Sequence, residues 1–310
     1  MNVISVVRGL VASALVCFSA SASADVCEKG CLLDITEAFL EAKASGDISD
    51  LEIATSVVST ENGTPVPLGE GATWQDDITI VNRHTFVDPH TQTAIFFGTV
   101  AGAAGPDRGW WHYNLRLTLD DDGAIAEVEQ ISDGTGFKRA NALQSPFRET
   151  AIFDLVLPED ERSTSAQLID IANRYWDALE DGDASDVPYA PDCQRTNVGT
   201  FSTNLPFTRD RDGDPDFRPQ ERIGSSCRSF HDRPPFRYDT TNRRFYVVDE
   251  ARGITIGLAH FKQTGGPATV TFTLMEAFKI ANGRIEWMWG PALAWGTPDS
   301  GWADWDRPQE

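Results

Sequence analysis

Two stretches of the chain place apolar residues at helical spacing and then stop at the same kind of signal. Leu32, Ile35, Phe39 and Ala42 form one stripe; Leu168, Ile171, Tyr175 and Leu179 form the other. Recurrence every three or four positions lines one face of a helix. Each stripe runs into a Gly-Asp-x-Ser-Asp signature, beginning at Gly46 and at Gly182. Glycine there adopts the left-handed backbone that closes a helix, and the Asp and Ser that follow open a loop. Ser163 and Ser165 are candidate N-caps for the second helix. Further on, HTFVDPHTQTAIFFGTV from His84 and FYVVDEARGITIGLAHF from Phe245 both read strand, turn, strand, with Asp88 over Asp249. WHYNLRLTLDDDGAI and TLMEAFKIANGRI then read as hairpins, and Asn282-Gly283 is the strongest short turn signal in the chain. The helices repeat at an offset of 136 residues and the strands at 161, which puts about 25 extra residues between Asn197 and Asn242. One helix followed by twisted antiparallel strands, twice over, predicts an α+β fold in which each curved antiparallel sheet wraps around helices.

The first 24 residues fall outside that pattern. Arg8, the apolar run from Gly9 to Phe18 and the Ala22-Ser23-Ala24 stretch before Asp25 have the form of a cleaved secretory signal. The residue before Cys17 is Val16, where a lipid-anchored signal would carry a small side chain. An exported chain, periplasmic or extracellular, is expected. Its four remaining cysteines then read as two disulfides, with three possible connectivities. The preferred pairing is Cys27 with Cys31 and Cys193 with Cys227. No His or second Cys pair stands at zinc-ligand spacing near Cys27 and Cys31, which disfavours a metal there. Formal net charge is −21, and loss of Arg8 makes it −22. Such a surface repels phosphate backbones and anionic bilayers, so neither nucleic acid nor membrane is an expected partner.

The order of the elements resembles the nuclear-transport-factor-2-like (SnoaL-like) cone. The phrases CEKGC before the first helix, TENGTPVPLGEG at residues 60–71, RRFYVVDEARG at 243–253, EAFKIANGRI at 276–285 and AWGTPDSGW at 294–302 resemble an exported group with two such cones in tandem. The resemblance implies one cone over 25–155, a linker at 156–164, and a second cone over 165–302 with an acidic insert at about 200–240. A tail at 303–310 would follow. It also implies ligands held between the concave sheet and the helices, and cofactor-independent acid and base chemistry. The sequence departs from the pattern at Arg195-Thr196-Asn197-Val198-Gly199, where a second Glu-Asn-Gly is expected.

Strand alternation then selects side chains. Phe272, Leu274, Glu276, Phe278 and Ile280 share one face, apolar except for Glu276. A two-residue Asn-Gly turn pairs Phe278 with Trp287 and Glu276 with Trp289, placing the carboxylate beside an indole on the inner wall. Desolvation there would make Glu276 an acid or base usable near neutral pH; the competing reading is a structural buried Glu. His260, in phase with Ile254, Ile256 and Leu258, is expected to point inward about four residues along the strand, on the order of 13 Å away. In the first half Leu115 stands for Glu276 and Glu129 for Trp289, so Glu129 is the expected inner-wall carboxylate. Glu61 and Asn62 sit at that mouth, and Trp74, Trp111 and Tyr113 are candidate lining. His112 alternates with Asn114, Arg116 and Thr118 on the opposite, polar face, where the two halves are expected to pack as an internal pseudo-dimer within a monomer.

The insert contains RDRDGDPDFRPQE, with Asp210, Asp212, Asp214, Asp216 and Glu221 at the offsets of a calcium loop. Pro215 occupies the position that needs Gly, so a solvated acidic loop is preferred and calcium on Asp210, Asp212 and Asp214 is the alternative. The sequence has no nucleophile elbow, phosphate loop, dinucleotide fingerprint or His-Glu-x-x-His. What remains is an exported, cofactor-free lyase or isomerase acting on a small aromatic, polyketide-like or sugar-derived molecule. Glu276 would be its acid or base, His260 its proton shuttle, and Trp287, Trp289 and Phe278 its ligand walls. A ligand-binding module without turnover, or an interaction protein, is the alternative.

Overall fold

A computed structural model describes residues 27–74, 78–102, 110–133, 147–197, 200, 201, 203, 226–228, 231, 237–264, 269–297 and 302. Both apolar stripes are helices of 17 residues, α1 (Lys29–Ser45) and α2 (Ser165–Asp181). They end at Gly46 and Gly182, with φ of 73° and 71°. The cap of α2 is Thr164, between the two serines expected: its hydroxyl accepts from the Gln167 N–H and the Gln167 side chain accepts from the Thr164 N–H.

The strands after α1 are β1 (Ile53–Glu61), β2 (Thr64–Pro65), β3 (Ile78–Asp88), β4 (Thr93–Gly102), β5 (Trp110–Leu119) and β6 (Ile125–Ser132). Those after α2 are β7 (Tyr189–Asn197), β8 (Thr200–Phe201), β9 (Arg237–Asp249), β10 (Ile254–Thr264), β11 (Val270–Ala281) and β12 (Arg284–Gly290), with β13 (Leu293–Trp295) paired to β11. The first sheet runs β2-β1-β6-β5-β4-β3 and the second β8-β7-β12-β11-β10-β9, the same order in the same sense.

The expected α+β class, with antiparallel sheets wrapped around helices, is not what forms. The described chain is mostly β, in two mixed sheets carrying one long helix each. The strand that follows each helix crosses to lie beside β6 in the first unit and β12 in the second, and that arrival makes β1–β6 and β7–β12 parallel. The strands are also buried on both faces: Ala94 to Phe97 and Ile254 to Phe261 contain no exposed residue. One face meets its own helix, and the other meets the second sheet.

Three apolar clusters record this layering. Leu32, Phe39, Phe96, Tyr113 and Leu115 fill the space under α1, and Leu168, Trp176, Phe261, Leu274 and Phe278 the space under α2. Phe86, Phe97, Ile131, Val247, Met275 and Trp289 lie between the sheets. Fully buried charges are set among them. Glu129 on β6 accepts from Arg116 Nε at 3.0 Å and from both terminal nitrogens of Arg244, at 2.8 and 2.9 Å. Arg116 also bonds Glu127 at 2.7 Å, and its guanidinium lies between the rings of Tyr246 (4.1 Å) and Trp302 (4.5 Å). The Trp302 indole donates to Thr60 of the first half at 3.1 Å, and its carbonyl accepts from Asn242 of the second at 3.2 Å.

The cysteines pair as Cys27–Cys31 and Cys193–Cys227. No helix among the described residues is long and apolar enough to cross a membrane.

The buried triad carries a stability prediction. Burial alone would push the Glu129 carboxyl up, but Arg244 and Arg116 together outweigh it and hold the pKa below the ordinary glutamate value. A lowered acid pKa stabilises the fold above the unfolded pKa and loses that contribution as pH falls through the folded value. Glu129→Leu leaves the Arg244 guanidinium buried without its anion and Arg116 with Glu127 alone, and urea unfolding at pH 7 is expected to register a loss of about 3–5 kcal/mol. Glu127→Gln, at the partly exposed margin of the same network, is expected to cost about 1 kcal/mol or less.

Candidate functional site

Glu276 lies on the face of β11 that looks toward α2, wholly buried with Phe272, Leu274, Phe278 and Ile280. Two glycines stand beside it, and other side chains fill the space they leave. The partner on β10 is Gly257, where an added Cβ would come within 2.2 Å of the Trp176 ring. Gly290 ends β12 close by, where a Cβ would stand 3.8 Å from Glu276 Oε1. Small residues on both sides admit the long side chains that reach the carboxylate from elsewhere. Trp176 of α2 donates its indole N–H to Oε2 at 3.3 Å. Arg195 of β7 brings Nε to 4.0 Å from Oε1 and donates to the Tyr175 hydroxyl at 3.0 Å. Oε1 has no hydrogen-bond partner among the described residues.

A histidine does enter this hollow, though not the one expected. His231, from the insert, is hydrogen-bonded through Nε2 to the Tyr189 hydroxyl at 2.5 Å, and its ring is 5.5 Å from that of Tyr175. The Cys193–Cys227 bridge accounts for its position: Cys193 and Arg195 are two apart on β7, and Cys227 precedes His231 by four residues. Burial raises the pKa of Glu276, against the opposing pull of Arg195, Trp176 and Tyr175. Burial likewise raises those of Tyr175 and Tyr189, which keeps both phenols protonated.

Several expected neighbours stand elsewhere. A bulge between Lys279 and Ile280 shifts the hairpin, so Trp287 pairs with Lys279 and Trp289 with Ala277. Trp289 therefore faces the junction between the sheets, 5.1 Å from Phe97 and 5.6 Å from Phe153, and Trp287 donates to Thr196 at 3.2 Å. His260 does share a face with Ile254, Ile256 and Leu258, but that face also looks into the junction; its Nε2 meets the Thr297 carbonyl at 3.1 Å. Glu276 and His260 thus occupy opposite sides of the sheet. Phe278 lines the hollow, 5.5 Å from Tyr175 and 6.0 Å from Trp176.

In the first half the inner-wall position belongs to Gln130, which accepts from the Tyr113 hydroxyl at 2.8 Å; Glu129, one residue earlier, points to the junction. Glu61 accepts from the backbone and hydroxyl of Thr73 at 3.0 and 2.9 Å, and Lys43 donates to the carbonyl and hydroxyl of the same threonine, both at 2.7 Å. Lys43 lies under the Trp74 and Tyr113 rings, at 4.8 and 5.0 Å. Trp111 packs half-buried at the same core. Asn62 has φ of 51° and accepts from the Ser132 N–H at 2.8 Å, so it builds the β1–β2 turn. Asp210, Asp212 and Asp214 lie outside the described residues. No cluster of three or more His, Cys, Asp or Glu able to hold a metal occurs among those described.

Comparison with known proteins adds little chemistry. The model of a domain of unknown function, DUF8021, matches residues 161–288, the span from just before α2 into β12. No curated protein matches the chain. Among solved structures, an LEH-like epoxide hydrolase of M. tuberculosis aligns with 41% of this chain and 82% of its own, at 19% identity and a TM-score of 0.28.

Two predictions follow from the Glu276 hollow. A raised acid pKa gives a contribution that is whole below the unfolded pKa and lost as pH rises through the folded value. Glu276→Gln removes the buried ionisation, so thermal melts across pH should show the variant gaining on the wild type as pH rises and converging with it in acid. Replacing Cys193 and Cys227 together by Ser is expected to lower stability by about 3–4 kcal/mol, from the loop that the bridge closes. Loss of the His231 ring shifts in NMR spectra should accompany it.

Proposed function

We propose that the protein is a cofactor-independent acid–base enzyme, of lyase or isomerase type, and that the hollow under α2 is its reaction site. The observation that carries this reading is a fully buried carboxylate whose Oε1 accepts no hydrogen bond among the described residues and faces the Arg195 guanidinium at 4.0 Å, beside a protonated phenol. As a carboxylate, Glu276 removes a proton from a carbon next to a carbonyl; a raised pKa makes it a stronger base for that step. Arg195 and Tyr175 stabilise the negative charge that develops on the carbonyl oxygen. Returned to a different atom, the proton completes an isomerisation; expulsion of a β-substituent completes an elimination. His231 and Tyr189 supply a second proton-handling pair on the far side of Tyr175. Phe278 and Trp176 suit a flat, partly apolar substrate, so small aromatic, polyketide-like or sugar-derived carbonyl compounds are the class to screen.

The reading is tested without knowing the substrate. Carbonyl compounds of that class, incubated with the protein in deuterated buffer, should exchange a carbon-bound proton, followed by proton NMR. Glu276→Gln is expected to lower exchange by at least 10²-fold, the usual scale for a general base, with the fold intact by circular dichroism. Arg195→Lys should retain binding but lose rate. Full exchange in Glu276→Gln would remove the assignment.

A further inference from the structure

The junction between the sheets holds a second polar arrangement that the Glu276 chemistry does not use. On β5, His112, Asn114 and Arg116 point to the same side and are 1%, 0% and 0% exposed. Thr99, the cross-strand partner of His112 on β4, is fully buried as well. Asp133 fixes His112 twice, accepting from its backbone N–H at 2.9 Å and meeting Nδ1 at 2.7 Å. With Nδ1–H given to the carboxylate, Nε2 carries a lone pair. That Nε2, the Thr99 hydroxyl and both ends of the Asn114 carboxamide have no hydrogen-bond partner among the described residues. Buried polar groups are ordinarily paired, and four such atoms on one rung and its neighbour call for a partner.

The other half displays what satisfies such a rung. Thr99 and His112 correspond, at the strand offset of 161, to His260 and Thr273, which are also cross-strand partners, with the two residue types exchanged. There Thr297 fills the space, its carbonyl 3.1 Å from His260 Nε2 and its hydroxyl 3.2 Å from the Thr273 hydroxyl. One carbonyl and one hydroxyl, a few bonds apart, complete the rung; there His260 Nε2–H donates to the carbonyl, whereas His112 Nε2 accepts, so at His112 the hydroxyl takes the carbonyl's place.

We propose that the Thr99–His112–Asn114 rung is a binding site for a small neutral molecule carrying a hydroxyl group beside a carbonyl. The ligand hydroxyl donates to His112 Nε2, the Thr99 hydroxyl bonds alongside, and the Asn114 amide donates to the carbonyl. Asp133 is a positioning residue, since it holds the imidazole in the tautomer that accepts. The site lies on the opposite face from the Glu276 hollow and does not depend on it.

Glycolamide is the probe, with acetamide and ethanol as the carbonyl-only and hydroxyl-only controls. Each is titrated into the oxidised full chain while the histidine ring nitrogens are followed by long-range proton–nitrogen NMR. Glycolamide is expected to shift His112 Nε2 saturably, and each control to bind about tenfold more weakly. Thr99→Val and Asn114→Leu, which remove polar atoms without removing bulk, should each weaken glycolamide by about tenfold, while Glu276→Gln leaves it unchanged. The proposal is overturned if His112 shows no saturable shift, or if Thr99→Val binds as the wild type does. It is equally overturned if Glu276→Gln abolishes the binding, because the probe then sits in the other hollow.

Discussion

Two guanidinium groups and one carboxylate, buried where the backs of two sheets meet, set the terms for the rest of the molecule. Glu129 belongs to the first sheet and Arg244 to the second, and each is closed off from water. Ions in that setting are tolerated only with close partners, so the sheets have one workable alignment, the one that brings Arg244 onto Glu129. Around this contact the junction is aromatic and aliphatic, with Trp289 at its centre. Each sheet thus meets the other sheet on one face and its own helix on the other.

The two halves share a topology but divide the work differently. Leu115 occupies the rung of Glu276, and Gln130 that of Gly290, so the first hollow is filled by Tyr113, Gln130 and the Lys43–Thr73–Glu61 chain. All of those polar groups are satisfied locally. In the second half two glycines let Trp176 and Leu274 pack close to the strands, and Arg195 stands 4.0 Å from Glu276. The two halves share a strand order, and what differs is which side chains stand at the rung of Leu115 and Glu276.

Much of the architecture was legible in the residues. The helical stripes, the glycine stops, the Asn282-Gly283 turn, the inward phase of β11 and the extra length after Asn197 all follow from local rules that the fold respects. The parallel strand pairs were not legible, since β1 and β7 give no local sign of which edge they will join. Nor was the outward face of His260, because Ile254 through Phe261 are buried on both sides and the apolar pattern carries no phase. A single bulge at Lys279 turned the two indoles of β12 away from Glu276, as one extra residue reverses every side chain after it. Arg195, Trp176 and His231 come from a parallel strand, a helix and a disulfide-held insert, and only tertiary packing brings them together. The one sequence signal for Arg195 was its position in the departure from Glu-Asn-Gly, two residues from Cys193.

Trp302 touches Thr60 across 242 residues of chain and covers an arginine that the first half needs shielded. Pairings at such separation form late, after shorter loops have closed. A ribosome finishes the first sheet long before it makes this indole, so the emerging chain carries an uncovered seam of mixed charge and aromatic rings. Folding only once both ends are present would spare it that exposure.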